Sequence, residues 1–203
     1  MIALYIAGGF LLGVVLTFFV MNVEVSRLKL TAYKDEVLDI PNQNMLYKTL
    51  QKEIDYCKKF TTDFTFILLD VDNFKQMNRD FGYYSSNLVL KQMISQLKGI
   101  LRKTDVVCRY QHGDEFAILL RNTDLRSTLL LAERIRSSIE DEDFAIKGRG
   151  SQIGNSRIAK MSVSMGVIQF GQLTTGSVKE LVYRVEMNLL RAKKKKNSIY
   201  PES

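Results

Sequence analysis

The longest apolar stretch opens the chain. From Met1 to Val23 there is no charged residue, and the run IALYIAGGFLLGVVLTFFVM has the ~20 apolar residues that cross a bilayer. A cleaved leader would carry a basic head and a small-residue cleavage site. Here the first charge, Glu24, comes after the apolar run. The pattern therefore predicts a retained transmembrane helix over 1–23 and a linker over 24–34. Beyond the linker the periodicity changes. Leu46, Leu50 and Ile54 share one helical face after the turn Asp39-Ile40-Pro41-Asn42. FTFILLDV, residues 64–71, is an apolar run of strand length. Leu88, Met93, Leu97 and Ile100 recur at helical spacing and predict a helix from about 84 to 103. VVCRY and EFAILL flank a polar, Gly-containing turn and read as a β-hairpin. Leu125 to Ile139 is amphipathic, and 145–160 reads as a loop or weak hairpin. MSVSMGVIQF is a further strand, and a last helix covers Val178 to Lys195. Helices interleaved with strands and one hairpin predict an α+β fold, with helices packed on an antiparallel-containing sheet over 35–200.

Composition narrows the chemistry. The only histidine is His112, and the two cysteines, Cys57 and Cys108, match no metal or redox spacing. That suits a reduced compartment. Any metal must then sit on oxygen ligands, which favours Mg²⁺ or Mn²⁺. The net charge of +7 is compatible with anionic partners. Much of the excess is local, in Lys193, Lys194, Lys195 and Lys196, rather than spread along a groove, so nucleic acid is not expected. Arg27, Lys29 and Lys34 follow the apolar run and place the C-terminal domain on the cytoplasmic side of the inner membrane as a single-pass protein. Gly9 and Gly13 form a GxxxG pair, which lets two membrane helices approach closely.

The informative residues are acidic. Asp70 and Asp72 end an apolar strand, and Asp114 and Glu115 sit at a hairpin tip. Ionised carboxylates are rarely buried unpaired. If strand and hairpin are neighbours, Asp70, Asp114 and Glu115 converge on one sheet edge. Such a set repels itself unless a cation joins it. Mg²⁺ on hard oxygens, completing its shell with substrate phosphates, is the arrangement of metal-assisted phosphoryl or nucleotidyl transfer.

These motifs together resemble the GGDEF domain of diguanylate cyclases over roughly residues 35–198. LDVDNFKQMNRDFG is similar to the family's metal-binding strand and following helix, HGDEFAILL to its signature hairpin, and MSVSMGV to its later strand. DEVLDIPNQ and VEMNLLRAKKKKNS are weaker copies of its opening motif and closing helix. The resemblance implies a palm-like fold shared with adenylate cyclases and polymerases. It also implies condensation of two GTP into cyclic di-GMP with release of pyrophosphate, in a homodimer that brings two half-sites face to face. By position, Asp70 and Asp114 resemble the Mg²⁺ (or Mn²⁺) ligands, with the Val71 carbonyl beside them. Glu115 resembles the second signature acid, acting on metal or in proton removal. Asn78 matches a guanine and ribose contact, and Lys75 and Lys193 match phosphate-binding lysines. Arg102 and Asp105 match the RxxD of an inhibitory product site. The alternative implied by the same family is a catalytically degenerate cyclic di-GMP receptor working through Arg102 and Asp105.

Three departures from the family pattern bear on activity. Between Arg109-Tyr110 and Asp114-Glu115 stand three residues, Gln111-His112-Gly113, where the family has two glycines. The turn is longer by one, and glycines are what let backbone approach a phosphate closely. Asn87 replaces an Asp that reads guanine. A carboxamide offers one acceptor and one donor, which predicts relaxed base choice, GTP against ATP. Lys196-Asn197-Ser198 replaces a closing Gly-Arg-Asn, so a forked guanidinium gives way to point charges.

Overall fold

The computed structural model describes residues 13–22, 24, 32–111, 113–146 and 157–201. The expected span over 1–23 lies partly outside these residues. Residues 13–22 are helical, and among the described residues no helix is long and apolar enough to cross a membrane.

The domain opens with a small antiparallel pair, β1 (Lys34–Asp35) and β2 (Ile40–Pro41), and then α1 (Gln43–Phe60). Asn42 caps α1, its side chain accepting from Met45 N, which satisfies one of the free first-turn amides. The central strand β3 (Phe64–Val71) leads into α2 (Phe74–Ile100). The hairpin β4 (Val106–Arg109) and β5 (Glu115–Arg121) follows, then α3 (Leu125–Asp141) with Asp124 as its cap. A short pair, β6 (Phe144–Ile146) and β7 (Arg157–Ala159), precedes β8 (Val163–Gln169). The chain closes with α4 (Val178–Lys195) and β9 (Ile199–Tyr200). The main sheet has the order β4-β5-β3-β8-β9. Its pairs are antiparallel except β8–β9, which is parallel, so the sheet is mixed.

The expected start near residue 84 captured only the second part of α2. The helix begins at Phe74 and is kinked at Gly82, whose φ of 79° and ψ of 157° are not helical. The first segment carries a short apolar stripe, Phe74, Met77 and Phe81, at i, i+3 and i+7, diluted by the polar residues between them.

The period-2 pattern of β3 divides the core into two layers. Ile67, Leu69 and Val71 face one cluster with α2 and α3, whereas Phe64, Phe66 and Leu68 face another with α1 and α4. By the same alternation Asp70 belongs to the α1–α4 face. Glu115 pairs directly with Asp70, and its neighbours of equal parity, Ala117 and Leu119, lie on that face too. Gly166 of β8 decides how close α4 comes. A methyl there would meet Leu189 N at 2.3 Å and Val185 O at 2.5 Å. Because both atoms are backbone, a larger residue would push the whole helix away. Glycine thus seats α4 hard against the sheet and fixes its last turn, with Lys193, near the acidic edge.

Candidate active site

The C-terminal end of β3 holds two buried carboxylates with different surroundings. Asp72 is used up internally: Oδ1 accepts from Ser164 Oγ at 2.8 Å, and Oδ2 accepts from Ser162 Oγ at 2.7 Å and Asn197 N at 2.8 Å. It ties the end of β3 to the start of β8 and to the turn after α4. Asp70 is only 4 % exposed, and it accepts from one ammonium, Lys193 Nζ at 2.7 Å from Oδ2. Directly across the strand pair stands Glu115. Like charges placed opposite each other on a sheet face are destabilising.

The electrostatics follow from this crowding. Burial holds the Asp70 carboxyl above the usual carboxylate range. Lys193 opposes the shift, and the charges of Asp114 and Asp72 add to it. Burial raises Asp114 as well, against the pull of Lys193, Lys75 and Arg109. Glu115 is raised by burial and by Asp70 and Asp114. Lys193 is affected by burial, which disfavours its charge, but pairing with Asp70, Glu115 and Asp114 outweighs it and leaves the amine raised. Three carboxylates thus share one close ammonium, with Lys75 contributing at longer range.

The signature turn is held from outside. Tyr110 N donates to Glu115 O at 2.9 Å, which closes the hairpin on the two sides of the turn. Gln111 and Gly113 have φ of 50° and 118°; His112 lies outside the described residues. Asp114 O accepts from Val71 N at 3.2 Å, which pins the acidic tip to the strand end. Arg109 then braces the loop. Its Nε and Nη2 donate to Gly113 O at 3.0 and 2.6 Å, and its Nη1 reaches Asp35 Oδ2 at 2.9 Å. The buried guanidinium links the first strand of the domain to the turn that carries Asp114. Sequence reasoning did not single out Asp35 or Arg109. Their only signal was membership in the opening and hairpin motifs, since a contact 74 positions apart in the chain has no local signature.

The other expected residues fall around this edge or along α2. Val71 adjoins Asp70 on the same strand end. Lys75 is exposed on the first turn of α2. Asn78 and Asn87, on either side of the Gly82 kink, each have a buried Oδ1 with no hydrogen-bond partner; among the described residues Gln96 Oε1 is the other such side-chain atom. A buried acceptor left unmade costs about 1–3 kcal/mol, so each of these oxygens has an open place for a donor. Lys196 Nζ donates to Asn73 Oδ1 at 2.8 Å, placing a second ammonium beside the start of α2. Arg102 and Asp105 are not part of this edge. They lie at the opposite end of the β4–β5 hairpin, where Asp105 Oδ2 accepts from Arg102 N at 2.8 Å. There an exposed Arg102 borders a cavity of ≈ 510 Å³ with Asp105, Leu130 and Arg134.

The donor set suits a hard divalent ion. Asp70 and Asp114 offer carboxylate oxygens, the donor type such an ion prefers, and the ammonium on Asp70 occupies a position suited to positive charge. Among the described residues no three His, Cys, Asp or Glu side chains are grouped to enclose an ion. Mg²⁺ typically uses one or two carboxylates and substrate phosphates rather than a full protein cage, so two acids are enough.

Comparison with known proteins bears on the family and the fold. The family model described as "Diguanylate cyclase, GGDEF domain" matches residues 32–198. The chain is 32% identical over 164 residues to diguanylate cyclase DgcP of Pseudomonas aeruginosa, covering 80% of this chain and 23% of that protein. It is 28% identical over 127 residues to diguanylate cyclase A of Treponema denticola, covering 63% and 32%. The chain thus spans about a quarter to a third of the length of these curated relatives. Among solved structures, the coiled coil and GGDEF domain of DgcB from Caulobacter crescentus, in complex with c-di-GMP, superposes with a TM-score of 0.80 at 18% identity, covering 93% of this chain and 96% of that one. Diguanylate cyclase SiaD of Pseudomonas aeruginosa, solved with its activator SiaC, gives 0.71 at 24% identity, covering 92% and 69%. At these identities the structural likeness speaks for the fold.

Proposed function

The chain belongs to the GGDEF domain family of diguanylate cyclases, and from that premise we propose that it condenses two GTP into cyclic di-GMP and pyrophosphate. The observation that carries this reading is the sheet edge itself: Asp70, Asp114 and Glu115 crowded together, with lysines around them and too little positive charge to settle them. A domain that only bound a ligand elsewhere would gain stability by replacing these acids.

Each residue has a task in this reading. Asp70 and Asp114, with the Val71 carbonyl, hold Mg²⁺ or Mn²⁺. A bound ion would neutralise charge on the transferring phosphate, where electrostatic stabilisation gives most of the rate. Lys75 and Lys193 hold phosphate oxygens. Asn78 and Asn87 offer their buried amide oxygens to donors on the nucleotide. Glu115, whose carboxyl is held above its ordinary range by burial and by Asp70 and Asp114, is the group that can exchange a proton with the attacking 3′-hydroxyl. Arg109 and Asp35 position the turn. One chain presents one such edge, and the reaction joins two nucleotides, so the working form is a homodimer. The uncharged run 1–23 and the basic residues after it support an anchor in the cytoplasmic membrane with the domain on its inner side.

The test is incubation of the full-length chain with GTP and Mg²⁺, with the dinucleotide detected by chromatography. Product that disappears in Glu115→Ala is expected; no product from the dimeric wild type would overturn the proposal. A second reading, a cyclic di-GMP receptor, is favoured by one observation, the exposed Arg102 at its cavity far from the acidic edge. It predicts cyclic di-GMP binding without turnover, lost in Arg102→Ala. Substituting ATP in the same assay reads the base choice left open by Asn87.

A further inference from the structure

We propose that Lys193 and the divalent ion exchange places on Asp70, so that metal and nucleotide load together and neither loads well alone. The inference rests on the cyclase reading of this edge and adds an order of events to it.

The ammonium is 2.7 Å from Asp70 Oδ2, on the carboxylate that an ion at this edge would use. Two cations in contact with one carboxylate repel each other strongly. Lys193 must therefore leave before an ion can bind. It cannot leave with its helix, because α4 is seated on Gly166 through backbone contacts at Val185 and Leu189. It leaves by rotating its own stem. The Lys193 side chain is 41% exposed whereas that of Asp70 is 6% exposed, so the lysine has room to move and the carboxylate does not.

Where the ammonium goes decides the coupling. The acids acting on it are Asp70, Glu115 and Asp114, and all three belong to the same edge. An ion arriving alone would evict the ammonium into water and lose a partly buried charge pair. A nucleotide arriving alone would bring phosphates to a surface of three carboxylates whose one close ammonium is already engaged. When both arrive, the ion takes Asp70 and the phosphates take Lys193. Each cation keeps an anionic partner throughout.

The exchange is read by binding, without turnover. The full-length chain is titrated with Mn²⁺, followed by the electron paramagnetic resonance of the free ion, with and without the α,β-methylene analogue of GTP. Wild type should bind Mn²⁺ weakly alone and about tenfold or more tightly with the analogue, in the usual range of coupling between sites. Lys193→Gln should bind Mn²⁺ alone about tenfold more tightly than wild type and gain less from the analogue. A Lys193→Gln protein no tighter than wild type for Mn²⁺ alone overturns the exchange. The second arm uses the metal-free analogue in the presence of a chelator. Asp70→Asn releases the ammonium, and Glu115→Gln removes the same charge while leaving Lys193 paired. Asp70→Asn should bind the analogue several-fold more tightly than Glu115→Gln, and equal affinities overturn the proposal. Wild type that takes up no Mn²⁺–analogue complex overturns both the exchange and the cyclase reading. Wild type that takes it up, with no gain in Lys193→Gln, overturns the exchange alone.

Discussion

The two ends of the β3–β5 strand pair are built from the same materials and settle their charges in opposite ways. At the end marked by Phe64 and Arg121, Asp63 accepts from Phe64 N, Gln169 Nε2 and Gly171 N. Arg121 pairs with Glu53 at 2.6 Å and donates to Thr104 O. Each of these charges has partners within the chain. Seven residues further along β3, Asp70 faces Glu115, with Asp114 alongside and Lys193 as the close counter-charge. The difference is one of completeness. A polar cluster that closes on itself stabilises and rigidifies; one left short of positive charge stores repulsion that an arriving cation relieves. Asp72 carries the contrast into a single strand end. It lies two residues from Asp70, equally buried, yet is satisfied by two serines and a backbone amide.

The largest effect is expected where the charge is incomplete. Glu115→Gln should lower cyclic di-GMP formation roughly 10²–10³-fold, the size of loss seen when a charge-stabilising group is removed. It should also raise the melting temperature at neutral pH. The sign follows from protonation. The Glu115 carboxyl is raised in the folded chain, so the folded form binds more protons than the unfolded one between the two values. Stability is then fully present below the ordinary carboxylate value and is lost as pH rises through the raised one. The melting advantage of the variant should therefore shrink as the pH is lowered towards about 4. A variant less stable than wild type at neutral pH would mean that this end is as settled as the other.

The opposite behaviour is expected at the far end. Glu53→Gln should cost about 2 kcal/mol, the worth of a hydrogen bond to a charged group, read by chemical denaturation. Turnover per folded molecule should stay unchanged, because no element of the acidic edge leans on this pair. Loss of turnover would show that the two ends are coupled through the strands.

How much of this was legible depends on whether the cause was local. Alternation in FTFILLDV, the polar turn between VVCRY and EFAILL, and the stripe of the last helix each fixed an element correctly, because each signal lies within a few residues. The placement of Asp70 opposite Glu115 was reachable once strand and hairpin were assumed to be neighbours. What could not be read was the division of labour between Asp70 and Asp72. It rests on Ser162, Ser164 and the Asn197 amide, which approach from about 90 positions or more along the chain. The Asp35–Arg109 brace escaped for the same reason. The first segment of α2 was missed because a stripe of three apolar residues ends at a glycine that breaks the period.

That brace offers a smaller, sharper test of how the active end is held. Asp35→Asn leaves the turn residues intact and weakens one arm of Arg109, whose other arm grips Gly113 O. Misplacement by a fraction of an ångström is enough to slow a positioned reaction, so turnover should fall about tenfold with substrate affinity little changed. An equal fall in affinity and turnover would place the effect on the whole fold instead.

The smallest effect on catalysis should come from Arg102→Ala, and it tests whether the settled end of the hairpin is also silent. Arg102 lies near Thr104, whose carbonyl accepts from Arg121, and so belongs to that end. Its backbone N–H is already satisfied by Asp105, and among the described residues no hydrogen bond depends on its side chain in the way the turn depends on Arg109. Initial turnover and stability should therefore change by no more than about 0.5 kcal/mol, as for ordinary surface positions. The guanidinium is nonetheless exposed beside a cavity of ≈ 510 Å³ with Arg134 across it, and a planar fork of this kind grips phosphate in pairs of hydrogen bonds. Calorimetry with cyclic di-GMP should show binding to wild type and loss in Arg102→Ala, and late time points of the reaction should run faster in the variant as product accumulates. If the variant binds product as wild type does, the hairpin has a single functional end, and the contrast between its two ends is complete.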